Sequence, residues 1–377
     1  MAAAAWDARI LMAPNGTVRT MAEQIHLVVL FGGQSAEHDV SCVTAAHVLS
    51  AVDTSRYRIT PIGISTDGTW SLADGAHRAL AAGPGALPSK LDPSGTSIAP
   101  SVALASDGRA DERTVVLPLL HGPMGEDGTV QGLLELADVA YVGAGVLGSA
   151  LAMDKAMAKQ VLAANGVPQS RHRAFPDHER TPGLPGELAA ELGLPCFVKP
   201  ANMGSSIGVS KAHTVEELRD AIDHALTYDE WVVVEEAVVG REIEVAVLGG
   251  SPPTPSGAGE IVPGAEFYDY DDKYVTDGAQ LLVPAPLTPE QTAEVRALAV
   301  RVFEVLRGDG LARVDFFLEE PGRGFLCNEA NTMPGFTPIS MYPKLWQAAG
   351  VDYPALIDRL VELAVERHAR RRRNTKH

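Results

Sequence analysis

Residues 311–331 read LARVDFFLEEPGRGFLCNEAN, and this stretch is the most informative part of the chain. Its two apolar runs, 311–318 and 325–331, flank a Glu-Glu-Pro-Gly-Arg-Gly joint that is rich in turn-forming residues. Apolar runs on either side of such a joint predict a β-hairpin. The joint centres on Gly322, so we expect the two strands to pair roughly symmetrically about that residue.

This symmetry predicts a pair of facing carboxylates in the hairpin. Asp315 would lie opposite Glu329 and Arg313 opposite Asn331, all on one face, because side chains alternate faces along a strand. Opposed carboxylates destabilise a sheet unless a cation lies between them. Two carboxylates and an amide oxygen form a hard-oxygen set that suits Mg²⁺ or Mn²⁺. The alternative interpretation is an ordinary surface ladder of salt bridges.

Composition excludes several classes of protein. A chain of 377 residues predicts two or three domains with ample core. The net charge of −17 argues against nucleic acid as the main partner, and no apolar run approaches the roughly 18 residues of a membrane span. Three scattered cysteines without a CxxC motif suit a reducing cytosol. We therefore expect a cytoplasmic protein with small-molecule partners.

The two ends of the chain are expected to lie outside the folded units. Residues 1–22 are Ala-rich and lack the basic start and apolar core of a secretory signal, so they predict a disordered extension, with Met21 as an alternative start. The basic residues of 370–377 follow a predicted helix and are expected to form a solvated tail.

The segments between these ends predict three units. Residues 23–148 alternate strands with helices, which is typical of a doubly wound parallel sheet. Residues 149–250 form a second unit that begins with a helix over 149–164. It includes a helix that follows Thr214, where Thr214 and Glu217 form a capping box. A Pro-rich crossing at 252–263 opens the third unit, 251–369, which contains the hairpin and two closing helices, at about 289–307 and 353–369.

Two motifs suggest other functions. Residues 143–148 match GxGxxG, so a nicotinamide oxidoreductase is one alternative. However, no acid lies about 20 residues further on, which favours a tight turn between domains.

Residues 204–208 match GxSxG, the nucleophile elbow of hydrolases. The segment after Gly208 predicts a strand rather than the required helix, which favours a glycine-rich hairpin. Such a hairpin can cradle phosphate, and Lys199 precedes it at the end of an apolar strand, where a lysine needs an anionic partner.

Seven motifs, in order, carry a resemblance to a known family. They are GGQSAEHDVS (32–41), HGPMGEDGTVQG (121–132), MDK (153–155), VKPANMGSSIGVSK (198–211), EFYDYDDKY (266–274), RVDFFL (313–318) and NEANTMPGFTPISMYP (328–343). Over roughly 25–365 the chain resembles the D-alanine–D-alanine ligases, which belong to the ATP-grasp enzymes. The resemblance implies a mixed α/β and α+β fold: an N-terminal doubly wound parallel-sheet domain, a small central domain and a C-terminal domain with a mixed or antiparallel sheet.

The resemblance implies that ATP lies between the central and C-terminal units. Lys155 and Lys199 would approach the phosphates beneath the Ser205–Ser206 amides, and Glu242 would hold the ribose. Relatives often have Lys or Ala where this chain has Glu236, but that position contributes mainly backbone. The implied cofactor-binding residues are Lys155, Lys199, Ser206, Glu235, Glu236, Val238, Glu242, Phe267 and Asn331.

The implied reaction joins two D-alanines for peptidoglycan synthesis in the bacterial cell wall. The first carboxylate attacks the γ-phosphate of ATP to give an acyl phosphate and ADP, and the amine of the second D-alanine then displaces phosphate. Two Mg²⁺ ions, or Mn²⁺, would neutralise the transferred phosphoryl group. Glu329 would bridge both ions. The implied metal ligands are Asp315, Glu329 and Asn331.

The resemblance also implies residues around the two D-alanines. Glu37 would bind the ammonium group of the first D-alanine. Arg313 and the Gly335 N–H would stabilise the oxyanion, and Lys273 would add positive charge at the γ-phosphate. Tyr274 would join Ser205 and Glu37 to tie a lid, residues 266–280, over the site. The implied catalytic residues are Glu37, Ser205, Tyr274, Arg313 and Gly335. The implied substrate-binding residues are His121, Lys273, Ser340 and Met341.

Several alternatives stay open at this point. Glu37 could instead cap the helix that begins near Val40, and His121 could be a satisfied core histidine. Glu126 and Asp127 are expected to brace the turn below His121. The second substrate could be D-lactate or D-serine, or the chain could bind nucleotide without ligase activity. By resemblance alone, a homodimer is expected.

Overall fold

The computed structural model describes residues 24–104, 112–262 and 280–371. The predicted extension 1–22 lies outside these ranges, as does nearly all of the predicted lid, 266–280. None of the helices in the described ranges has both the length and the apolar character to cross a bilayer.

The N-terminal unit is built on a six-stranded sheet with the order β4-β3-β2-β1-β5-β6. Strands β2, β1, β5 and β6 run parallel, while β3 and β4 add an antiparallel edge. Residues 27–31 of β1 are fully buried, as expected for a strand covered on both faces. The predicted doubly wound sheet is therefore confirmed. Its strands are Gln24–Gly32 (β1), Tyr57–Ile64 (β2), Trp70–Leu72 (β3), Thr96–Ser97 (β4), Glu112–Pro118 (β5) and Ala140–Tyr141 (β6), and its helices are His38–Ala51 (α1), Asp74–Ala82 (α2), Pro100–Ala103 (α3) and Thr129–Leu136 (α4).

The central unit contains a four-stranded antiparallel sheet with the order β7-β10-β8-β9. Its strands are His172–Pro176 (β7), Cys196–Pro200 (β8), Ser210–Ala212 (β9) and Trp231–Glu236 (β10), and the neighbouring helices are Val146–Met153 (α5), Lys155–Ala164 (α6), Leu184–Leu192 (α7) and Val215–Ala225 (α8).

Two local predictions for this unit were wrong in detail. The single helix predicted at 149–164 is two helices, because the Asp154 carboxylate caps α6 by accepting the Met157 N–H at 2.9 Å. Thr214 does cap α8 by accepting the Glu217 N–H at 3.1 Å. The Glu217 carboxylate, however, accepts the N–H of His213 at 2.7 Å rather than that of Thr214, so the box is shifted by one residue.

The C-terminal unit contains a five-stranded antiparallel sheet with the order β13-β12-β11-β14-β15. Its strands are Arg241–Leu248 (β11), Thr254–Val262 (β12), Gln280–Leu282 (β13), Leu311–Glu319 (β14) and Gly324–Asn331 (β15), and its helices are Pro289–Val305 (α9), Met341–Ala348 (α10) and Tyr353–Arg371 (α11).

The division between the central and C-terminal sheets falls before β11. This strand pairs with β14 over its whole length, from Arg241↔Leu318 to Leu248↔Leu311. Most of the segment predicted as a Pro-rich crossing, 252–263, forms the strand β12. We therefore propose that the third unit begins near Gly240 instead of at residue 251.

The first and last units share a core. Apolar side chains of β1 and α1, such as Val29 and Leu49, belong to the same buried cluster as Trp346 and Leu360 of the closing helices. The basic end of α11 adds ion pairs. Arg370 contacts Asp309 at 2.9 Å, so this residue is part of the fold and not of a solvated tail. The shared apolar core fixes the N-terminal unit against the C-terminal unit.

The GxGxxG segment is a closely packed turn. Gly143 has a φ of +102°, and a Cβ at Gly148 would lie 2.4 Å from the carbonyl oxygen of Arg307. These glycines therefore allow α5 to approach the C-terminal unit, which favours the tight-turn interpretation over a dinucleotide site.

Candidate active site

The hairpin β14–β15 has the predicted register. Arg313 pairs with Asn331 and Asp315 with Glu329, as symmetry about the turn requires. The register then shifts, because Phe316 pairs with Cys327 and leaves Asn328 as the extra residue of a β-bulge. The predicted opposition of the two carboxylates is confirmed.

Arg313 lies between carboxylates on this face. Its Nε and Nη2 donate to both oxygens of Asp315 at 2.8 and 2.7 Å, and its Nε lies 3.1 Å from Oε1 of Glu244 on β11. Burial alone would lower the pKa of Arg313, but the carboxylates of Asp315 and Glu244 outweigh it and hold that pKa well above its usual range. The guanidinium is therefore a permanent charge at the site.

The hairpin offers a donor set that fits a divalent cation shared with phosphates. Asn331 donates its amide N–H to Asp315 at 2.9 Å, which leaves its amide oxygen as an acceptor. Asp315 Oδ1 accepts Nε of Arg313, and Asp315 Oδ2 accepts both Nη2 of Arg313 and the Asn331 amide, so a cation would replace one of these contacts. Within the described ranges no group of three or more His, Cys, Asp and Glu side chains forms a ready-made metal cage. Mg²⁺ held partly by substrate phosphates does not require such a cage.

Two lysines of the central unit face this hairpin. Lys155 Nζ donates to the Met203 carbonyl at 2.6 Å and lies 3.9 Å from the Glu329 carboxylate. Lys199 Nζ lies 3.4 Å from the amide oxygen of Asn328, in the bulge. The bulge therefore lets consecutive residues 328 and 329 approach both lysines across the cleft.

The anionic partner expected for Lys199 is Glu235. Its carboxylate lies 3.1 Å from Lys199 Nζ and 3.2 Å from Lys159 Nζ, and it accepts the Ser170 hydroxyl at 2.8 Å. Burial favours a raised pKa for Glu235, but the two lysines outweigh it and hold the pKa below its usual range. Burial also lowers the pKa of Lys199, and Glu235 more than compensates by raising it. Lys199 is therefore held as a cation.

The GxSxG segment is a hairpin loop between β8 and β9, which pair antiparallel. Ser205 and Ser206 have φ values of +49° and +59°, and Gly208 has +71°. A nucleophile elbow requires a strand followed by a helix, so the structure favours the glycine-rich hairpin. Its successive left-handed residues can turn backbone N–H groups towards an anion.

The loop reaches the N-terminal unit through Glu37. The Ser205 hydroxyl donates to this carboxylate, and Glu37, although it precedes α1, makes no capping hydrogen bond with its side chain. A Cβ at Gly122 or Gly204 would lie 2.6 or 2.9 Å from Glu37 Oε2. A side chain at either position would therefore have to displace this carboxylate from its place in the cleft. That place, between the two glycines, argues against the capping alternative.

His121 lies beside Glu37. Its Nδ1 contacts the Met333 carbonyl oxygen at 3.1 Å, and burial lowers its pKa, so the ring is neutral. Two buried atoms here, Glu37 Oε2 and His121 Nε2, have no hydrogen-bond partner among the residues that the structure describes. Buried polar atoms usually have one, so this corner can accept a polar ligand.

Glu126 and Asp127 brace the turn below His121, as expected. Glu126 accepts the N–H groups of Gly122 at 2.7 Å and Met333 at 3.1 Å, which joins the N-terminal unit to the loop after β15. Asp127 accepts the Met124 N–H at 2.8 Å. Burial raises the pKa of Glu126 to about 8.

The remaining predicted residues differ in their placement. Gly335 faces Ser340, since a Cβ there would lie 3.1 Å from the serine hydroxyl. Met341 is buried in the shared core, so its side chain packs against apolar neighbours. Val238 follows β10 and Glu242 lies on β11; both are partly buried. Outside the described ranges lie Phe267, Lys273 and Tyr274.

The Glu236 carboxylate forms an ionic link between two units. It accepts the N–H and Nε of Arg171, both at 2.7 Å, and Nη1 of Arg323 at 2.5 Å. The side chain at this position was expected to matter little, but it joins β10 to the turn of the β14–β15 hairpin.

Sequence reasoning missed other residues that contact predicted site residues. Nothing in the sequence pairs Lys159 with Glu235 or Glu244 with Arg313, because each pair joins different elements. The one signal in the sequence that could have revealed such a contact was Lys159, a lysine on the apolar side of α6. The missed residues are Lys159, Ser170, Arg171, Glu244, Arg323 and Asn328.

The fold and this cleft define an ATP-grasp enzyme. Two antiparallel sheets hold between them two lysines, a glycine-rich loop and a carboxylate-bearing hairpin, and a parallel-sheet unit closes one end. The family whose profile is described as "D-ala D-ala ligase N-terminus" matches residues 26–144, and "D-ala D-ala ligase C-terminus" matches residues 161–362. The chain belongs to the D-alanine–D-alanine ligase family.

Individual relatives agree with this assignment. The D-alanine–D-alanine ligase of Bacillus velezensis is 47 % identical, with 90 % of this chain and 98 % of the relative covered. A solved D-alanine–D-alanine ligase from Coxiella burnetii has a TM-score of 0.77 at 35 % identity, covering 93 % of this chain and 96 % of that one. The solved structure of the VanG D-Ala:D-Ser ligase from Enterococcus faecalis has a TM-score of 0.76 at 33 % identity. The match covers 90 % of this chain and 99 % of that one. The predicted family and ligase activity are confirmed.

Proposed function

We propose that this chain joins two D-alanine molecules at the cleft, with ATP converted to ADP and phosphate, to supply D-alanyl-D-alanine for peptidoglycan synthesis. The observation that carries the proposal is the approach of Lys155 and Lys199 to the hairpin of Asp315 and Glu329. Phosphoryl transfer depends mainly on positioning and charge neutralisation, and this arrangement offers cationic and anionic groups on facing walls.

ATP would lie between the central and C-terminal sheets. Lys155 and Lys199 would bind its phosphates, with the amides of Ser205 and Ser206 above them. The backbone after β10, to Val238, would border the adenine, and Glu242 would hold the ribose. Glu235 supports this site indirectly, since its carboxylate holds Lys199 at 3.1 Å.

Enzymes of this family use ATP and divalent metal ions. We assign two Mg²⁺ ions, or Mn²⁺, to Asp315, Glu329 and Asn331, whose oxygens suit a hard cation. When bound, such ions neutralise charge on the transferring phosphoryl group. Asp315 would turn one oxygen from Arg313 to the cation, while Glu329, 3.9 Å from Lys155, would reach the phosphate side of the cleft.

The first D-alanine would lie at the corner of Glu37 and His121. Glu37 Oε2 and His121 Nε2 are buried without a hydrogen-bond partner in the described part of the chain. An ammonium group matches the carboxylate, and a neutral imidazole adds a polar neighbour without opposing charge. This orientation would direct the D-alanine carboxylate towards the γ-phosphate.

Attack by the second D-alanine creates an oxyanion that needs fixed donors. Arg313 keeps its charge and lies on the site face of β14, and the Gly335 N–H lies in the loop that follows β15. Preorganised donors of this kind are worth about 10²–10³-fold in rate. Ser340 would border the second substrate, with Met341 supporting it from the core. Lys273 and Tyr274 would close the site from the predicted lid.

A ligase for D-alanine and D-serine, or D-lactate, is the second candidate. The similarity to a D-Ala:D-Ser ligase structure supports it. Two relatives that are 47 % identical to this chain are named D-alanine–D-alanine ligases, which favours D-alanine as the second substrate.

We also propose a cytoplasmic homodimer. The family resemblance supports both the compartment and the dimer. The reaction consumes ATP, which is available in the cytoplasm. Light scattering at micromolar concentration tests the dimer, and a monomer mass would contradict it.

The direct test is phosphate release with ATP, Mg²⁺ and D-alanine as the only amino acid. We expect release that depends on D-alanine and yields the dipeptide. D-Lactate and D-serine, each added as a competing second substrate, should give the minor product. Release without D-alanine dependence, or a mainly D-lactate or D-serine product, would contradict the proposal.

A further inference from the structure

We propose that Glu244 is a positioning residue: its carboxylate holds Arg313 in the site while Asp315 binds the metal ion. This inference rests on the proposed function, since it assigns a task to a residue beside the proposed metal ligands. Glu244 lies on β11, which is neither the metal hairpin nor part of any motif that identified the site.

The sheet places Glu244 in one row with two of the three proposed metal ligands. It pairs with Asp315 on β14, and Asp315 pairs with Glu329 on β15. Arg313 lies two residues before Asp315 on the same face. From there its Nε reaches both Asp315 Oδ1 at 2.8 Å and Glu244 Oε1 at 3.1 Å. The guanidinium is thus shared between two carboxylates.

This sharing resolves a competition at Asp315. Both Asp315 oxygens accept N–H groups of Arg313, yet the same carboxylate is needed for a divalent cation. Two positive groups on one carboxylate repel each other. A guanidinium with a second carboxylate beside it can give up part of its contact with Asp315 without becoming an unpaired buried charge, which is strongly destabilising.

Removal of the Glu244 charge should therefore weaken metal binding. In Glu244→Gln, the carboxylates left around Arg313 are those of the proposed metal ligands Asp315 and Glu329, so the guanidinium competes more strongly with the cation. Loss of residues that support metal ligands typically costs 10–100-fold in metal affinity. We expect about tenfold weaker binding of Mn²⁺ in the presence of a non-hydrolysable ATP analogue, measured by paramagnetic resonance of free Mn²⁺. Glu244→Asp, which keeps the charge, should recover part of the affinity.

A matched control separates this effect from general damage to the sheet. Glu260 is also a buried carboxylate of this sheet, 6 % exposed against 4 % for Glu244. It is bound by both Nε and Nη2 of Arg241 at 2.9 and 2.7 Å, away from the hairpin face. Glu260→Gln should lower stability to urea as Glu244→Gln does, but leave Mn²⁺ binding unchanged.

A double-mutant cycle separates action through Arg313 from direct attraction of the cation. In an Arg313→Met background, Glu244→Gln should no longer change Mn²⁺ affinity, because the competing guanidinium is gone. A persistent tenfold loss there would mean that Glu244 acts on the metal directly and would overturn the inference. Wild-type affinity in Glu244→Gln, or an equal loss in Glu260→Gln, would also overturn it. Absence of Mn²⁺ binding by the wild type would instead overturn the proposed metal site, and the inference with it.

Discussion

The Ser205 hydroxyl donates a hydrogen bond to the Glu37 carboxylate, joining residues 168 positions apart in the chain. Ser205 lies in the glycine-rich loop of the central unit, and Glu37 lies at the start of α1 in the N-terminal unit. The contact therefore closes the loop over the corner assigned to the first D-alanine and orients the carboxylate expected to bind its ammonium.

Ser205→Ala should weaken binding of the first D-alanine. A hydrogen bond to a charged group contributes roughly 1.5–3 kcal/mol, so we expect KM for D-alanine to rise about tenfold or more with a smaller change in KM for ATP. Steady-state phosphate release checks this. Ser50→Ala removes a hydroxyl that bonds only within α1, to the Ala46 carbonyl at 2.8 Å, and serves as control. An unchanged KM for D-alanine in Ser205→Ala would contradict the assigned role.

Glu126 should make stability depend on pH. Its pKa is raised from 4.5 to about 8 in the folded protein, first by burial. Between these values the folded state keeps a proton that the unfolded state releases, so stability falls as pH rises from about 4.5 to 8. The slope is at most about 1.4 kcal/mol per pH unit.

Glu126→Gln removes this contribution because its side chain is neutral at every pH. Urea unfolding at pH 5.5, 6.5 and 7.5 should show the wild-type free energy of unfolding falling relative to that of the variant. If the free energies of unfolding of the wild type and the variant change in parallel across this pH range, Glu126 is ionised in the folded protein.

Glu236→Gln should destabilise the junction between the central and C-terminal units. Two arginines, Arg171 and Arg323, donate to this buried carboxylate, so we expect a loss of roughly 1–3 kcal/mol in the free energy of unfolding, smaller at high salt. Glu319→Gln serves as control because it removes the less buried partner of the same Arg323, 23 % exposed against 9 % for Glu236, and should cost less. Equal losses in the two variants would contradict the link through Glu236.

Tyr274, outside the described residues, is expected to shape the pocket of the second substrate. Tyr274→Phe keeps the ring but removes the hydroxyl predicted to bond Ser205 and Glu37, a loss of about 0.5–1.5 kcal/mol. We predict weaker dipeptide synthesis and a relative gain in the D-lactate product. A competition assay with D-alanine and D-lactate at several pH values checks this. An unchanged product ratio would direct the search for specificity to Ser340 and Met341.

The sequence predicted those features that depend on short stretches of chain. The register of β14–β15 follows from the position of its turn, and the pairing of Asp315 with Glu329 follows from that register. The buried strand β8 predicted that Lys199 needs an anionic partner. In each case a local pattern was sufficient.

Features that depend on sheet order could not be predicted in this way. Only residues 237–240 separate β10 from β11, and the apolar pattern of β11 suits either sheet, so its membership of the C-terminal sheet was missed. The contact of Glu244 with Arg313 depends on that membership. The break at Asp154 was missed because an acid inside an otherwise continuous helical pattern can also face solvent.

The most direct test of the account is the rate of phosphate release by Glu329→Gln with ATP, D-alanine and saturating Mg²⁺. The carboxylate lies opposite Asp315 and 3.9 Å from Lys155, where it is proposed to bridge both cations. A metal ion contributes several kcal/mol of transition-state stabilisation, and about 3 kcal/mol corresponds to roughly a hundredfold in rate. We predict at least that loss, with the urea unfolding curve preserved. Turnover close to that of the wild type would contradict the assignment of this hairpin as the metal site.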